Sequence, residues 1–486
     1  MFNQFLQTLE WLWPLFVAAA DVVVAMACTI HIVLRKRDVR GAIAWSGLVW
    51  LAPFLGAFVY FCLGVNRIQR KATEVYTKDA EILSELVLTP EDLQFHDEFV
   101  ICHPSLLALA SVARHLTETC DLPGNRITPL VNGDEAYPAM LNAIRDARQS
   151  VTLLSYIFDS DRAGMAFLEA LRDAHERGVA VRVLIDDVGS RYSRPNMVRR
   201  LRAEGIPTAA FLPTRVPRLL KYANLRNHRK IMVVDGEVGF TGGTNIREGH
   251  WLSLYPKQPV QCLHFRLEGP VVHHLQKTFA IDWAFAAGES LKGSPWFPAP
   301  QRAGAAWAQG IPHGPDEDFE KLTDLLIAAL TAATQTVRIV TPYFIPDAPL
   351  IRALNIAALR DVDVRIYVPH KSNIPLVDWA AMAQAWQVLE RGCRLFLTPP
   401  PFDHTKIFTV DGAWSLIGST NWDPRSLRLN FEFNVQCFDP HLAEQLDKLI
   451  EHKYADAHEL TLDEVQQRSW PIQLRDGVAR LLSPYM

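Results

Sequence analysis

An internal duplication constrains this 486-residue chain more than any other feature. The segment "NHRKIMVVDGEVGFTGGTN" at residues 227–245 returns as "DHTKIFTVDGAWSLIGSTN" at residues 403–421. A similar run of elements precedes each copy. In the first, "DEAYPAMLNAIRDARQ" has helical spacing, "SVTLLSYIF" reads as a buried strand, "GMAFLEALRDAHERG" as a helix and "VAVRVLIDDV" as a strand. In the second, "DEDFEKLTDLLIAALTAAT", "QTVRIVTPYFI", "PLIRALNIAALRD" and "VDVRIYVPH" give helix, strand, helix and strand again. A chain of this length exceeds a single core, and the repeat says how it divides: two α/β units of one design. Each ends in a short apolar strand closed by an Asp-Gly hairpin turn.

Within the copies the polar residues keep identical offsets, H-x-K-x4-D-x6-[GS]-[GS]-x-N. The first set is His228, Lys230, Asp235, Gly242, Gly243 and Asn245; the second is His404, Lys406, Asp411, Gly418, Ser419 and Asn421. Histidine and lysine two apart on an extended strand project from one face. Lysine is a point cation and no metal ligand, so the pair suits an anion rather than zinc. The sequence has neither H-E-x-x-H nor a GxxxxGK[ST] loop, the motifs that would hold a metal or a nucleoside triphosphate. Two lysines and two asparagines converging on one point form a cradle for phosphate. Two histidines on opposite sides of that phosphate divide the chemistry: one attacks phosphorus, the other protonates the departing alkoxide, and a second alcohol reverses the sequence. One phosphodiester is exchanged for another, and no cofactor is needed.

Composition narrows the partners. A formal net charge of −4 gives no global positive field of the kind duplex binding requires, so nucleic acid is not the expected partner. Seven scattered cysteines without C-x-x-C read as reduced structural thiols. Residues 11–34 and 41–64 are apolar runs, each long enough to cross about 30 Å of hydrocarbon, and they predict a membrane hairpin. No basic residue precedes the first run, which argues against a cleaved signal peptide. Asp21 is a costly residue inside a span. The basic loop "RKRDVR" and the later Arg67, Arg70 and Lys71 point to opposite orientations. Before the first motif, Arg215, Arg218, Lys221, Arg226 and Arg229 form a basic run that either draws anionic headgroups or is a solvated loop. The tail "LRDGVARLLSPYM" is amphipathic and suits either a bilayer surface or a docked helix.

The paired motif resembles that of the phospholipase D superfamily. "TPYFIPD" (341–347), "FRLEGPVV", "SLIGSTNWDPRSLRLNFEFN" (415–434) and the apolar N-terminus resemble, more narrowly, the bacterial cardiolipin synthases. The resemblance implies two phospholipase-D-like repeats, mixed sheets flanked by helices and packed pseudo-symmetrically, behind a transmembrane helical hairpin. The expected layout is hairpin 1–70, amphipathic connector 71–125, first repeat 126–288, linker 289–316, and second repeat with its tail 317–486. The implied activity passes a phosphatidyl group from one phosphatidylglycerol to another at the bacterial inner membrane, as a multi-pass protein. Phospholipase D or transphosphatidylase action with another acceptor is the nearest alternative. By the same resemblance His228 forms the phosphohistidine and His404 is acid, then base. Lys230, Lys406, Asn245 and Asn421 hold phosphate, and Asp235 and Asp411 stand in the catalytic motifs, where bracing of strand and turn suits them better than substrate contact. Glu432 occupies the place of a histidine-bonding carboxylate downstream of the second copy. The family pattern D-x-H-x-R-x-E-G-P has its carboxylate two residues before His264, where this chain has Cys262, so the partner orienting His228 is left open. Trp422 and Arg425 either line the entrance or pack and pair.

Overall fold

The computed structural model describes residues 2–36, 39–61, 88–93, 104–117, 119–213, 225–315 and 320–483. Arg67, Arg70, Lys71, Arg215, Arg218 and Lys221 lie outside the described residues. The chain divides into two compact units, an N-terminal helical one and a larger α/β one.

In the N-terminal unit a single helix runs Phe2–Arg35, and its 24 residues Leu12–Arg35 are long and apolar enough to cross a membrane. Among the described residues it is the only such helix. The expected second span is interrupted: helix Val39–Leu51 stops at Ala52, and Pro53 opens the short helix Pro53–Val59. Proline lacks the N–H that would continue the first helix and pushes the preceding residue out of helical geometry. Ala25, Cys28, Ile32, Val49 and Tyr60 form a small core, while Phe16, Val23, Leu34, Leu55 and Phe58 stay exposed.

The α/β unit is built on one continuous mixed sheet. The first repeat contributes strands in the order Thr208–Phe211, Ala180–Asp186, Ser150–Ser155, Ile231–Val234, Val238–Gly242, Leu263–Glu268 and Leu122–Val131. The second contributes Arg394–Thr398, Asp363–Pro369, Thr336–Val340, Ile407–Val410, Trp414–Gly418, Asn430–Phe438 and Ala306–His313 in the same order. The two halves meet where the last strand of each pairs antiparallel with its counterpart, Leu122 opposite Ala308 and Asn125 opposite Ala306. Antiparallel pairing of equivalent strands places a pseudo-twofold axis between them. Helices Val272–Ala287 and Pro440–Lys453 are related in the same way, and Leu275, Phe279, Leu442 and Leu446 share one core with Phe265, Phe433 and Val435 from the sheet.

Two expected boundaries move. Residues 306–313, inside the expected linker, are a strand at the centre of the sheet. Their Gly and Pro have specific causes: a Cβ on Gly310 would stand 2.6 Å from the His274 Cβ, and Pro312 lies beyond the stretch paired on both edges. Part of the expected connector, Pro104–Thr117, is a helix whose Leu106, Leu109 and Ala113 join the second repeat's core with Leu322, Leu325 and Val337. The C-terminal tail forms helix Trp470–Leu481 and docks: Asp476 is buried with Arg468 at 2.5 Å, and Arg475 stacks on Trp379.

Candidate active site

The two histidines are held by the opposite repeat. Arg226–Asn227 pairs parallel with Asn430–Phe431, and the His228 N–H donates to the Phe431 carbonyl at 2.8 Å. Phe402–Asp403 pairs parallel with Val260–Gln261, and the His404 N–H donates to the Gln261 carbonyl at 2.8 Å. These matching anchors bring the imidazoles to a centroid separation of 6.3 Å at 74°.

Each ring is fixed through Nδ1. His228 Nδ1 lies 3.1 Å from the Glu432 carboxylate, and His404 Nδ1 lies 3.0 Å from the Gly243 carbonyl. A carbonyl oxygen only accepts, so His404 carries its proton on Nδ1 and leaves Nε2 with a lone pair. The same tautomer follows for His228 against an ionised carboxylate. Burial alone would raise the Glu432 pKa, but His228, Lys230 and the Ser419 hydroxyl hold it below the ordinary value. Burial pushes His228 down to about 4 despite Glu432, and drives His404 well below its ordinary value with Lys406 and Lys230 adding to the effect. Both imidazoles are therefore neutral near pH 7 without an anion present.

Lys230 Nζ donates to the His228 carbonyl at 2.6 Å, and Lys406 Nζ donates to the His404 carbonyl at 2.7 Å. Burial lowers Lys230 to about 8 and Lys406 to about 7. Ammonium groups so placed lack a full counter-charge, which a phosphodiester would supply. Asn245 and Asn421 are both buried beside them; Asn245 Oδ1 accepts from the Ile157 N–H at 3.2 Å, and Asn421 bonds Asp423.

Profiles of known families match this architecture. "Cardiolipin synthase, PLD-like domain" matches residues 140–283 and 326–454, and "Phospholipase_D-nuclease N-terminal" matches residues 23–64. Cardiolipin synthase A of Pseudomonas fluorescens is 34% identical over 95% of this chain and 96% of its own length. The major cardiolipin synthase of Bacillus subtilis is 32% identical over 93% of this chain and 95% of its own. The chain belongs to the bacterial cardiolipin synthase family of the phospholipase D superfamily. In fold it is similar to the phosphatidylserine synthase of Haemophilus influenzae, with a TM-score of 0.60 at 14% identity, over 74% of this chain and 95% of that one.

Three expectations change within this family frame. Glu432 is the partner of the first histidine, not the second. The sheet register makes Cys262 the counterpart of Glu432, because Gly242 pairs with His264 as Gly418 pairs with Asn434. Cys262 therefore faces the second motif, with Sγ 3.3 Å from the His404 carbonyl, and it is His404 that has no carboxylate there. Gly243 matches this loss: a Cβ on it would stand 2.6 Å from Cys262 Sγ, whereas its counterpart Ser419 donates its hydroxyl to Glu432. The second concerns Asp235 and Asp411, which stand in the catalytic motifs but hold the backbone at the turn, away from the histidines and lysines. Seven residues of extended chain, about 20 Å, separate each from its histidine. Asp235 accepts from the N–H groups of Arg148, Gln149 and Ser150; Asp411 accepts from those of Thr334, Gln335 and Thr336. Their φ values of 53° and 52°, each followed by a positive-φ glycine, make the hairpin turn that Asp-Gly predicts. Third, Arg229 of the basic run is buried, with Asp282 at 2.6 Å and the Phe431 ring beneath it, so it presents no surface charge. Trp422 packs between Phe344 and Phe408, and Arg425 is half-buried.

Sequence reasoning missed the aromatic walls and a third histidine. The Tyr156 ring is 4.9 Å from His228, and the Phe402 and His250 rings are 5.9 Å and 6.3 Å from His404. Tyr156 directly follows the strand Ser150–Ser155 of the duplicated core, which marks it as a position at the strand tips where such sites form.

Proposed function

We propose that the chain is a cardiolipin synthase that transfers a phosphatidyl group from one phosphatidylglycerol to another and releases glycerol, through a covalent phosphohistidine. The observation that carries this reading is the facing pair of neutral imidazoles, each locked at Nδ1, above two buried lysines. The phosphodiester anion enters between Lys230 and Lys406, with Asn245 and Asn421 beside it. Its charge offsets the lysines and lets His404 take up a proton from solvent at Nε2. His228 Nε2 attacks phosphorus. A P–N bond forms, the P–O bond to glycerol breaks, and the glycerol oxygen takes the His404 proton. Glu432 balances the positive charge that develops on the phosphorylated His228 ring. A hydroxyl of the second phosphatidylglycerol then gives its proton to His404 and attacks phosphorus, and the P–N bond breaks.

The anchoring follows the same reading: the span Leu12–Arg35 and the interrupted apolar segment after it form a hairpin in the bacterial inner membrane, making the protein multi-pass. Such an anchor keeps the site beside a concentrated lipid acceptor, which favours lipid over water.

The test is purified full-length protein in vesicles with phosphatidyl-labelled phosphatidylglycerol. Cardiolipin and glycerol in equal amounts are expected, together with a base-stable, acid-labile phosphoprotein. Phosphatidic acid as the only lipid product would overturn the synthase reading in favour of hydrolysis.

A further inference from the structure

The two motifs are followed by loops of unequal length. In the first repeat "IREGHWLSLYPKQPVQ" separates Asn245 from Cys262, whereas the shorter "WDPRSLRLNF" separates Asn421 from Glu432. The extra length places the short turn Glu248–His250 against the catalytic pair, and the pseudo-symmetric position in the second repeat has no equivalent imidazole.

His250 is 2% exposed and its ring lies 6.3 Å from that of His404. The loop is held firmly. Tyr137 bonds the Arg247 carbonyl at 2.9 Å, Arg162 pairs with Glu248 at 2.6 Å, and a Cβ on Gly133 would stand 2.6 Å from the His250 carbonyl. Its Nδ1 is buried with no hydrogen-bond partner among the described residues, and the Val260 backbone lies close enough to the ring to favour its charged form slightly. A buried imidazole with an unpartnered nitrogen, fixed by a rigid loop beside a reacting group, is poised for a ligand. Burial, then Arg247, Lys406 and Lys230, hold His250 down to about 3, so it is a neutral acceptor in a cationic setting. That setting disfavours an ammonium headgroup and favours an uncharged hydroxyl.

We propose that His250 is a substrate-binding residue whose neutral ring accepts a hydrogen bond from a second hydroxyl of the polyol alcohol exchanged at His404. This rests on the transferase reading above and adds to it a reason for selecting polyol headgroups over monohydric or cationic alcohols. Because the insertion lies on the His404 side only, the contact acts on the alcohol and not on the diacylglycerol portion.

The test uses the full-length protein in mixed micelles with phosphatidylglycerol as donor and labelled glycerol or labelled 1-propanol as acceptor. The leaving group is the same in both reactions, and the ratio of the two kcat/KM values is independent of the folded fraction. His250→Phe is expected to lower the glycerol-to-propanol ratio by roughly three- to tenfold, the worth of one hydrogen bond. His250→Gln, which keeps an acceptor, is expected to restore part of the preference. An unchanged ratio in His250→Phe, or equal falls in the Phe and Gln proteins, would overturn the assignment while leaving the transferase intact. A wild-type protein that transfers to neither alcohol nor lipid would instead remove the transferase reading, and this proposal with it.

Discussion

Replacing Glu432 by glutamine keeps the side chain's shape and removes its charge, and the structure fixes what must follow. One carboxylate oxygen accepts from Asn430 Nδ2 at 3.1 Å; the other meets His228 Nδ1 at 3.1 Å and the Ser419 hydroxyl. As placed, every neighbour donates, so the new NH₂ group opposes one of them unless the Asn430 amide turns over to present its unpartnered Oδ1. Turned toward Asn430 it sets donor against donor. Turned toward His228 it forces the proton from Nδ1 to Nε2 and takes away the attacking lone pair. Loss of the charge alone lowers the His228 pKa by about 1 unit or more and slows attack by up to about tenfold per unit. The tautomer change carries the loss toward about 10⁴-fold, as in an Asp-to-Asn change behind the catalytic histidine of a serine protease. The assay is rapid-quench single turnover with phosphatidyl-labelled phosphatidylglycerol, following formation of acid-labile phosphoprotein, with a thermal melt to establish folding. Glu432 also supports the charge on Lys230, so the alkaline limb of kcat/KM should move to lower pH. Phosphoprotein forming at the wild-type rate while its breakdown slows would refute the reasoning, because it would make His228 the acid–base residue and His404 the nucleophile.

In the wild type, kcat/KM should fall as pH rises through about 7 to 8, where Lys406 and Lys230 lose their protons in the free enzyme. The corresponding limb of kcat should lie higher, since bound phosphodiester supplies counter-charge; coincident limbs in a pH–rate study would count against the cradle. Cys262→Asp puts a carboxylate on the His404 side, and the acid limb of phosphohistidine breakdown should move up by about 1 pH unit, because His404 must be neutral to accept the acceptor's proton. Asp411→Ala leaves three backbone N–H groups without their acceptor and places alanine at a positive φ, so a loss of about 1–3 kcal/mol is expected in denaturant unfolding, with kcat of the folded protein within about twofold of wild type. A kcat collapse without destabilisation would return Asp411 to the chemistry.

Local signals made much of this molecule readable. Alternation and helical spacing located the repeated helix–strand order, Asp-Gly located both hairpin turns, and fixed offsets picked out the histidines and lysines. What stayed hidden depends on how the repeats meet. Glu432 follows His404 closely in sequence, yet its carboxylate crosses to His228 because the strand Asn430–Phe438 also carries the backbone that anchors the first motif. No spacing rule within one copy contains that exchange. The strand Ala306–His313 was concealed by Gly310 and Pro312, whose uses are a close approach to His274 and an unpaired edge. His250 was masked differently: it lies in the loop that the duplication does not share, where comparing the copies gives no help.

In the proposed mechanism a symmetric scaffold carries out an asymmetric reaction, since the atom that attacks phosphorus and the atom that protonates the leaving oxygen do different work. Such a scaffold differentiates its halves where they touch the substrate. In this chain the differences gather around the two imidazoles: Glu432 against Cys262, Ser419 against Gly243, and the inserted loop bearing His250. The first two act together, since the serine hydroxyl donates to the carboxylate that stands beside it. They leave His228 with a fixed negative charge suited to a ring that becomes positive when phosphorylated. His404 is left on a neutral carbonyl, with no built-in charge to retain the proton it takes up while the phosphodiester is bound. A proton held that weakly is readily given to an alkoxide, and the binding of each new phosphodiester restores the condition for holding it. In that mechanism the missing carboxylate couples proton uptake at His404 to occupancy of the cradle.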